Sequence, residues 1–255
     1  MTLDAFDTYR RTLTSREETP SAWWYLGTST VEVEGYPEII VSHVETVMIY
    51  GAQTLDETSY RVPWWEIGVF RDAITGEVPT SWINPITGVE IEPAQKFEEG
   101  PSGFSVRQGA GGGIEMFDAV QAFASLESCE ISVAEVGARV CVTQVERKTR
   151  SFPGKDGIPD LSAGEGSRSR TVLQWFADRA ELTSGAPSVH ATGMYSLELA
   201  TPAWLGFGDL PSRFMVKGLM VKASLEPPLN PRGWSDLQKL YPQYFAHGKI
   251  QPRWG

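Results

Sequence analysis

Two short runs of this chain set titratable side chains among apolar ones at strand spacing. In Val41-Ser-His43-Val-Glu45-Thr-Val47-Met-Ile49, every second residue places Val41, His43, Glu45, Val47 and Ile49 on one face. Between Trp64 and Phe70 the same period groups Trp64, Glu66, Gly68 and Phe70. Apolar surroundings raise the pKa of a carboxylate and lower that of a histidine. Both then approach neutral pH, where general acid–base catalysis works best. His43, Glu45 and Glu66 are therefore candidate proton-transfer residues, joined by His190 from the run Ser188–Leu199. Tyr195 in the same run, with Arg170 and Gln174 in Ser169–Ala177, are candidates for binding a substrate or a developing oxyanion. Trp24 and Trp64 are candidates for holding a ring. Beside each functional reading stands a plain one: an exposed charge, a satisfied structural pair, or a ring that only packs.

Other chemistries fit less well. His43, Glu45, Glu66 and His190 would make a two-histidine, two-carboxylate metal set, but no H-x-H or H-E-x-x-H spacing occurs, so no metal is expected. Gly109-Ala-Gly-Gly-Gly113 lacks the Lys-Ser/Thr of a phosphate loop, and no G-x-S-x-G elbow is present. Cys141, between Val140 and Val142, reads as core. No organic cofactor is expected either.

The elements that must position these residues are mostly strands. Leu3, Phe6, Arg10 and Leu13 predict a helix over residues 3–14, packed on a barrel end. Ala22–Glu34 and Glu38–Tyr50, rich in β-branched and aromatic residues, flank the turn Gly35-Tyr36-Pro37 and predict a long hairpin. The segment Asp72-Ala-Ile-Thr-Gly76 is nearly repeated as Asn84-Pro-Ile-Thr-Gly88. Each copy opens on an Asx residue and closes on a glycine, the chemistry of a bulged hairpin turn. Trp64–Arg71, Val78–Ile83 and Val89–Ile91 should then form a meander. Asp118–Leu126 predicts a helical turn or two, Glu130–Val136 and Arg139–Glu146 a hairpin, and Phe152–Gly166 a long loop that reads as a lid. Phe214–Leu225 suits strand or helix, and Trp234, Leu237, Leu240 and Tyr241 predict a closing helix after Asn230-Pro231. Roughly eight to ten antiparallel segments favour a mainly β, up-and-down, calycin- or lipocalin-like barrel with short terminal helices, as a single domain over residues 1–255.

Composition narrows the partners. A formal charge of −10 with no Lys/Arg cluster opposes nucleic acid. No apolar run approaches the ~20 residues of a membrane span. Two cysteines and the absence of a charged-then-apolar leader lead to the expectation of a cytoplasmic protein, with homo-oligomerisation left open. Nine Trp, eight Tyr and eleven Phe supply many ring faces for a small aromatic ligand.

The runs WYLGTS (Trp24–Ser29), PEIIVSHVETVMIY (Pro37–Tyr50), EIGVFRDAITGEV (Glu66–Val78), SWINPITG (Ser81–Gly88) and TPAWLGFGDLPSRF (Thr201–Phe214), with the ending NPRGW through PRW, resemble a bacterial and fungal family catalogued as domain of unknown function 1838. The resemblance spans most of the chain and implies a shared fold; its motifs are turns, and it transfers no catalytic residue. Two functions then compete. One is a cofactor-independent lyase or isomerase acting by acid–base catalysis on a small phenolic compound, with C–C cleavage as a fitting reaction. The other is a calycin-like binding or carrier protein without chemistry.

Overall fold

The computed structural model describes residues 3–121, 124–150, 152–153, 159–160, 167–223, 225, 231–247 and 249–251. The chain starts with helix α1 (Ala5–Leu13), whose first turn is capped by Asp4, with Oδ1 accepting from Asp7 N at 2.7 Å. The strands β1 (Ser21–Val33), β2 (Ile39–Tyr50), β3 (Gln53–Asp56), β4 (Ser59–Arg71), β5 (Trp82–Ile83), β6 (Glu90–Ile91), β7 (Lys96–Gln108), β8 (Ile114–Val120), β9 (Ala124–Val136) and β10 (Arg139–Arg150) follow. After the short pair β11 (Phe152–Pro153) and β12 (Pro159–Asp160) come β13 (Ser167–Asp178), helix α2 (Arg179–Thr183), β14 (Ala191–Ala200) and β15 (Ser212–Ala223). Helix α3 (Pro231–Leu240) and the pair β16 (Phe245–Ala246) and β17 (Lys249–Ile250) end the described chain.

One antiparallel sheet runs through ten strands in the order β8-β7-β4-β2-β1-β15-β14-β13-β10-β9, and β3 joins it as an eleventh by pairing with β4. Apart from short excursions, each long strand pairs with the next in sequence, so the connectivity is that of a meander. β15 closes back on β1 over Ala22–Val33. Among the described residues β8 and β9 pair through the bridge Gln121–Ala124, and the barrel is nearly closed. The protein is thus a mainly β, up-and-down antiparallel barrel with short helices. No helix among the described residues is long and apolar enough to cross a membrane.

The interior is filled from alternate positions of each strand. Trp23 and Tyr25, Val44 and Met48, Tyr60, Val62 and Trp64, Val140 and Val142, and Leu173 and Trp175 belong to one buried cluster. Helix α1 plugs one end and adds Phe6, Tyr9 and Leu13 to that cluster. Its C-terminal carbonyls are gathered by Lys222 Nζ, which donates to Arg11 O at 2.8 Å, Thr12 O at 3.0 Å and Thr14 O at 2.6 Å. At the other end of β1, Val31 and Val33 pack with Val41, Leu205 and Phe207. Helix α3 lies outside the barrel against Trp24, Val47, Ile49, Trp65, Ile67 and Val69.

Two local expectations are corrected. Asp118–Leu126 is not helical: Asp118–Val120 extends β8 and Ala124–Leu126 begins β9. The doubled turn does not make a three-stranded meander, because β5 pairs only with β6 and β4 pairs with β2, β3 and β7. Pro79, lacking an N–H, follows the first turn and cannot extend a ladder there. The turn chemistry itself is as its residues dictate. Asp72 Oδ1 accepts from Ile74 N and Thr75 N, and Asn84 Oδ1 from Ile86 N and Thr87 N. Gly76 and Gly88 close the turns at φ of 70° and 71°. The second copy docks on the β14–β15 loop, Asn84 Nδ2 donating to Leu205 O at 3.0 Å and Thr87 Oγ1 to Gly206 O at 2.9 Å. The loop Phe152–Gly166, read as a lid, lies largely outside the described residues.

Candidate functional site

The barrel encloses a cavity of ≈ 50 Å³ between α1 and the middle of the sheet. Its apolar wall is aromatic, from Tyr50, Trp64, Phe104, Trp175 and Tyr195. Its polar wall comes from two places. β4 and β7 contribute Glu66 and Glu99, which are cross-strand partners where the β4–β7 register shifts. A register shift of this kind re-aims side chains locally. β10 contributes Gln144, Glu146, Lys148 and Arg150, every second residue beyond Val140 and Val142.

Glu66 is the unusual member. It makes no side-chain hydrogen bond of normal geometry among the described residues, and it lines the cavity. Burial pushes its carboxyl pKa up to about 8, and the neighbouring Glu99 adds to the rise. Thr46, Arg150 and Lys148 pull in the opposite direction, Thr46 from close by but without a properly directed hydrogen bond. At neutral pH Glu66 is therefore mainly a protonated acid. Burial likewise raises the Tyr195 phenol, whose ring meets Tyr25 edge-on with centroids 5.3 Å apart. The inner-facing Gly27 and Gly218 have no Cβ where the Tyr25 ring lies, and a side chain at either would strike it.

The β10 residues form a connected chain. Tyr9 Oη of α1 donates to Gln144 Oε1 at 2.6 Å, and Gln144 Nε2 donates to Glu146 Oε1 at 2.7 Å. Glu146 Oε2 faces Lys148 Nζ at 2.5 Å. Arg150 Nε donates to Ser169 Oγ at 3.1 Å. Thr171 Oγ1, also on the cavity wall, is buried with no partner among the described residues. Cys129, opposite Glu146 on β9, has its thiol pushed up to about 12 by burial and that carboxylate, which rules out a thiolate nucleophile at neutral pH.

Of the residues singled out by sequence, Trp64, Glu66 and Tyr195 meet at this cavity. The others do not. His43 is exposed on the outer face, its Nδ1 3.3 Å from Thr28 Oγ1. Glu45 shares that face, as the two-residue period requires, but is buried beneath α3, where Arg71 Nε reaches its Oε2 at 2.5 Å. Trp24 also lies beneath α3, its ring 5.7 Å from that of Trp234. The His190 side chain is 92% exposed and pairs with Glu181 Oε1 at 3.0 Å. Arg170 is exposed, and Gln174 alternates with the core residues Leu173 and Trp175, so both face outward. On β1 and β2 the cause is that the outer face is apolar too where α3 covers it; Arg170 and Gln174 take the outward positions of β13, and His190 precedes β14.

Glu99, Gln144, Glu146, Lys148 and Arg150 were not anticipated. The signal for the last four was the alternation itself. With Val140 and Val142 inward, positions 144, 146, 148 and 150 must face inward too. Among the described residues, no three His, Cys, Asp or Glu side chains cluster as metal ligands would. No protein-family model matches the chain, and none of the curated proteins is significantly similar to it.

Proposed function

We propose that the barrel interior is the active site of a cofactor-independent lyase or isomerase in which Glu66 and Glu99 move protons on a small organic substrate. The observation that carries this reading is the Glu66 carboxyl, lining the cavity beside Glu99, without a properly directed hydrogen bond among the described residues, with Lys148 on the same cavity. Two neighbouring carboxyl groups can divide into an acid and a base. In a retro-aldol cleavage, Glu99 takes the proton of a substrate hydroxyl as the C–C bond breaks. The released electron pair forms an enolate or phenolate, and the Glu66 proton is delivered to its carbon. Lys148 and the Tyr195 hydroxyl are the groups available to stabilise the developing oxyanion.

The volume bears on the substrate. About 10–15 Å³ holds one water and a cavity near 150 Å³ holds benzene, so ≈ 50 Å³ suits the reacting group of a phenolic compound, not its entire ring. The ring-lined wall favours the second reading, a carrier that binds such a compound unchanged. Membership of the domain of unknown function 1838 family is proposed on the turn sequences alone.

The test is to incubate the protein with a panel of phenolic and hydroxy-carbonyl compounds in D2O and follow mass changes. Turnover or deuterium incorporation by the wild type is expected, and Glu66→Gln should reduce it by a factor of 10²–10⁴ without loss of folding. Binding without any chemical change selects the carrier reading. Full activity in Glu66→Gln removes Glu66 from the mechanism.

A further inference from the structure

Lys148 is among the most deeply buried cations of the barrel, with a side chain 6% exposed. An ammonium carries three N–H donors. One is spent on Glu146 Oε2 at 2.5 Å, and the others have no acceptor among the described residues, although they lie at the cavity wall. Burying a charged group with unused donors is expensive, and replacing a buried ion pair by apolar residues is often neutral or stabilising. Packing therefore gives no reason for this lysine. Its partner is held firmly: Tyr9 Oη fixes Gln144, and Gln144 Nε2 fixes Glu146 Oε1, so the plug helix braces the carboxylate that orients the ammonium. Arg150, two residues on, brings a second cation to the same wall. Thr171 Oγ1, buried and unpartnered among the described residues, supplies a further polar group there.

We infer that this wall is an anion site, in which Lys148, with Arg150 beside it, holds a carboxylate, enolate or phenolate oxygen of the ligand against the side of the cavity opposed to Glu66 and Glu99. The inference rests on the interior being a ligand chamber, and it names the ligand class: a small organic anion whose charged head fits ≈ 50 Å³. It also fixes orientation. Glu99 and Glu146 repel the head, whereas Lys148 and Arg150 attract it, so the atom next to the head is turned towards Glu66. Tyr9, Gln144 and Glu146 act as positioning residues for Lys148.

Acetate and its neutral isostere acetamide are the probes, titrated calorimetrically into the full chain. Acetate is expected to bind saturably. Acetamide should bind at least about tenfold more weakly, the loss of one charge-assisted hydrogen bond. Lys148→Met should weaken acetate by a similar factor. Because it leaves Glu146 unpaired, the double variant Glu146→Gln/Lys148→Met is measured beside it, and it should fold and still lose acetate. Tyr9→Phe should weaken acetate by a smaller factor while leaving acetamide unchanged, which a merely structural role would not do. Absence of acetate binding, equal affinity for the two probes, or wild-type acetate affinity in the double variant each overturns the anion site. Glu66→Gln keeps acetate binding, so an anion site without turnover defeats the proposed reaction and leaves this inference standing.

Discussion

A single carboxyl group, Glu66, ties stability to pH across the neutral range. The groups around it are Tyr25 on β1, Thr46 and Tyr50 on β2, Glu99 on β7, Glu146, Lys148 and Arg150 on β10, Tyr195 on β14 and Tyr241 after α3. Burial raises its pKa from 4.5 to about 8, so the folded protein holds this proton more tightly than the unfolded chain does. Below pH 4.5 both states are protonated and the group is neutral to folding. Between pH 4.5 and 8 the unfolded chain releases the proton first, and stability is lost with rising pH until the folded state also ionises. The full loss is on the order of 3–5 kcal/mol. Glu66→Gln removes the titration, so its urea midpoint should exceed that of the wild type by an amount that grows from pH 5 to 8 and then levels off. A pH-independent difference between the two proteins would mean that Glu66 does not titrate in this window. A protein that keeps such a residue gives up stability at neutral pH, as is common where a group is kept for its chemistry.

Helix α3 holds β2 and β4 in place and makes the outer face of both strands apolar. Arg71 joins Glu45 at 2.5 Å to Asp236 at 2.9 Å and also reaches Gly76 O of the first doubled turn at 3.4 Å. The ion pairs sit between the barrel wall and the first turns of α3. A Cβ on Gly233 would lie 2.9 Å from Glu45 Oε1 and 3.0 Å from Oε2. In a free helix glycine to alanine gains about 1 kcal/mol, but here the carboxylate is pinned by Arg71. Gly233→Ala should therefore destabilise by about 1–3 kcal/mol, an overpacking effect. Adding Glu45→Ala should recover part of that loss in a double-mutant cycle. A neutral or stabilised Gly233→Ala would show that the helix sits further from Glu45. The same cover decided what sequence could reveal. The long hairpins, the mainly β, up-and-down class, both terminal helices and the turn chemistry followed from alternation, capping residues and Asx-to-Gly spacing; β7 and the start of β8 and β9, which lack that alternation, did not. Inward and outward faces did not, because Val47, Met48, Ile49 and Tyr50 are buried in succession, one face by the core and the other by α3. A run buried on both sides carries no alternation to read. On β10, where the outer face is only partly covered, the alternation was legible through Arg150.

For the barrel as a whole, the distribution of pairing sets the distribution of stability. β1 is paired on both sides along nearly its full length, with β2 and β15. β9 is paired on one side only, with β10, and approaches β8 through one bridge. An unpaired strand edge invites association with other chains, and charged residues blunt it. Here Glu127 and Glu135 stand exposed along β9, held by Arg168 at 3.8 Å and Arg179 at 2.7 Å, and Glu130 is exposed between them. Gln121 lies both on the internal cavity and in the open groove along the seam, so the weakest part of the wall is also next to the candidate site. Native-state amide exchange should map this directly. Amides of β9 that point away from β10 should exchange orders of magnitude faster than those of Trp23 to Ser29 in β1, whose opening requires rupture of two ladders. Replacing both Glu127 and Glu130 with valine should speed concentration-dependent association while leaving exchange in β1 unchanged. Uniform protection around the barrel would show that β8 and β9 are zipped in solution, and the groove beside Gln121 would then offer no route to Glu66.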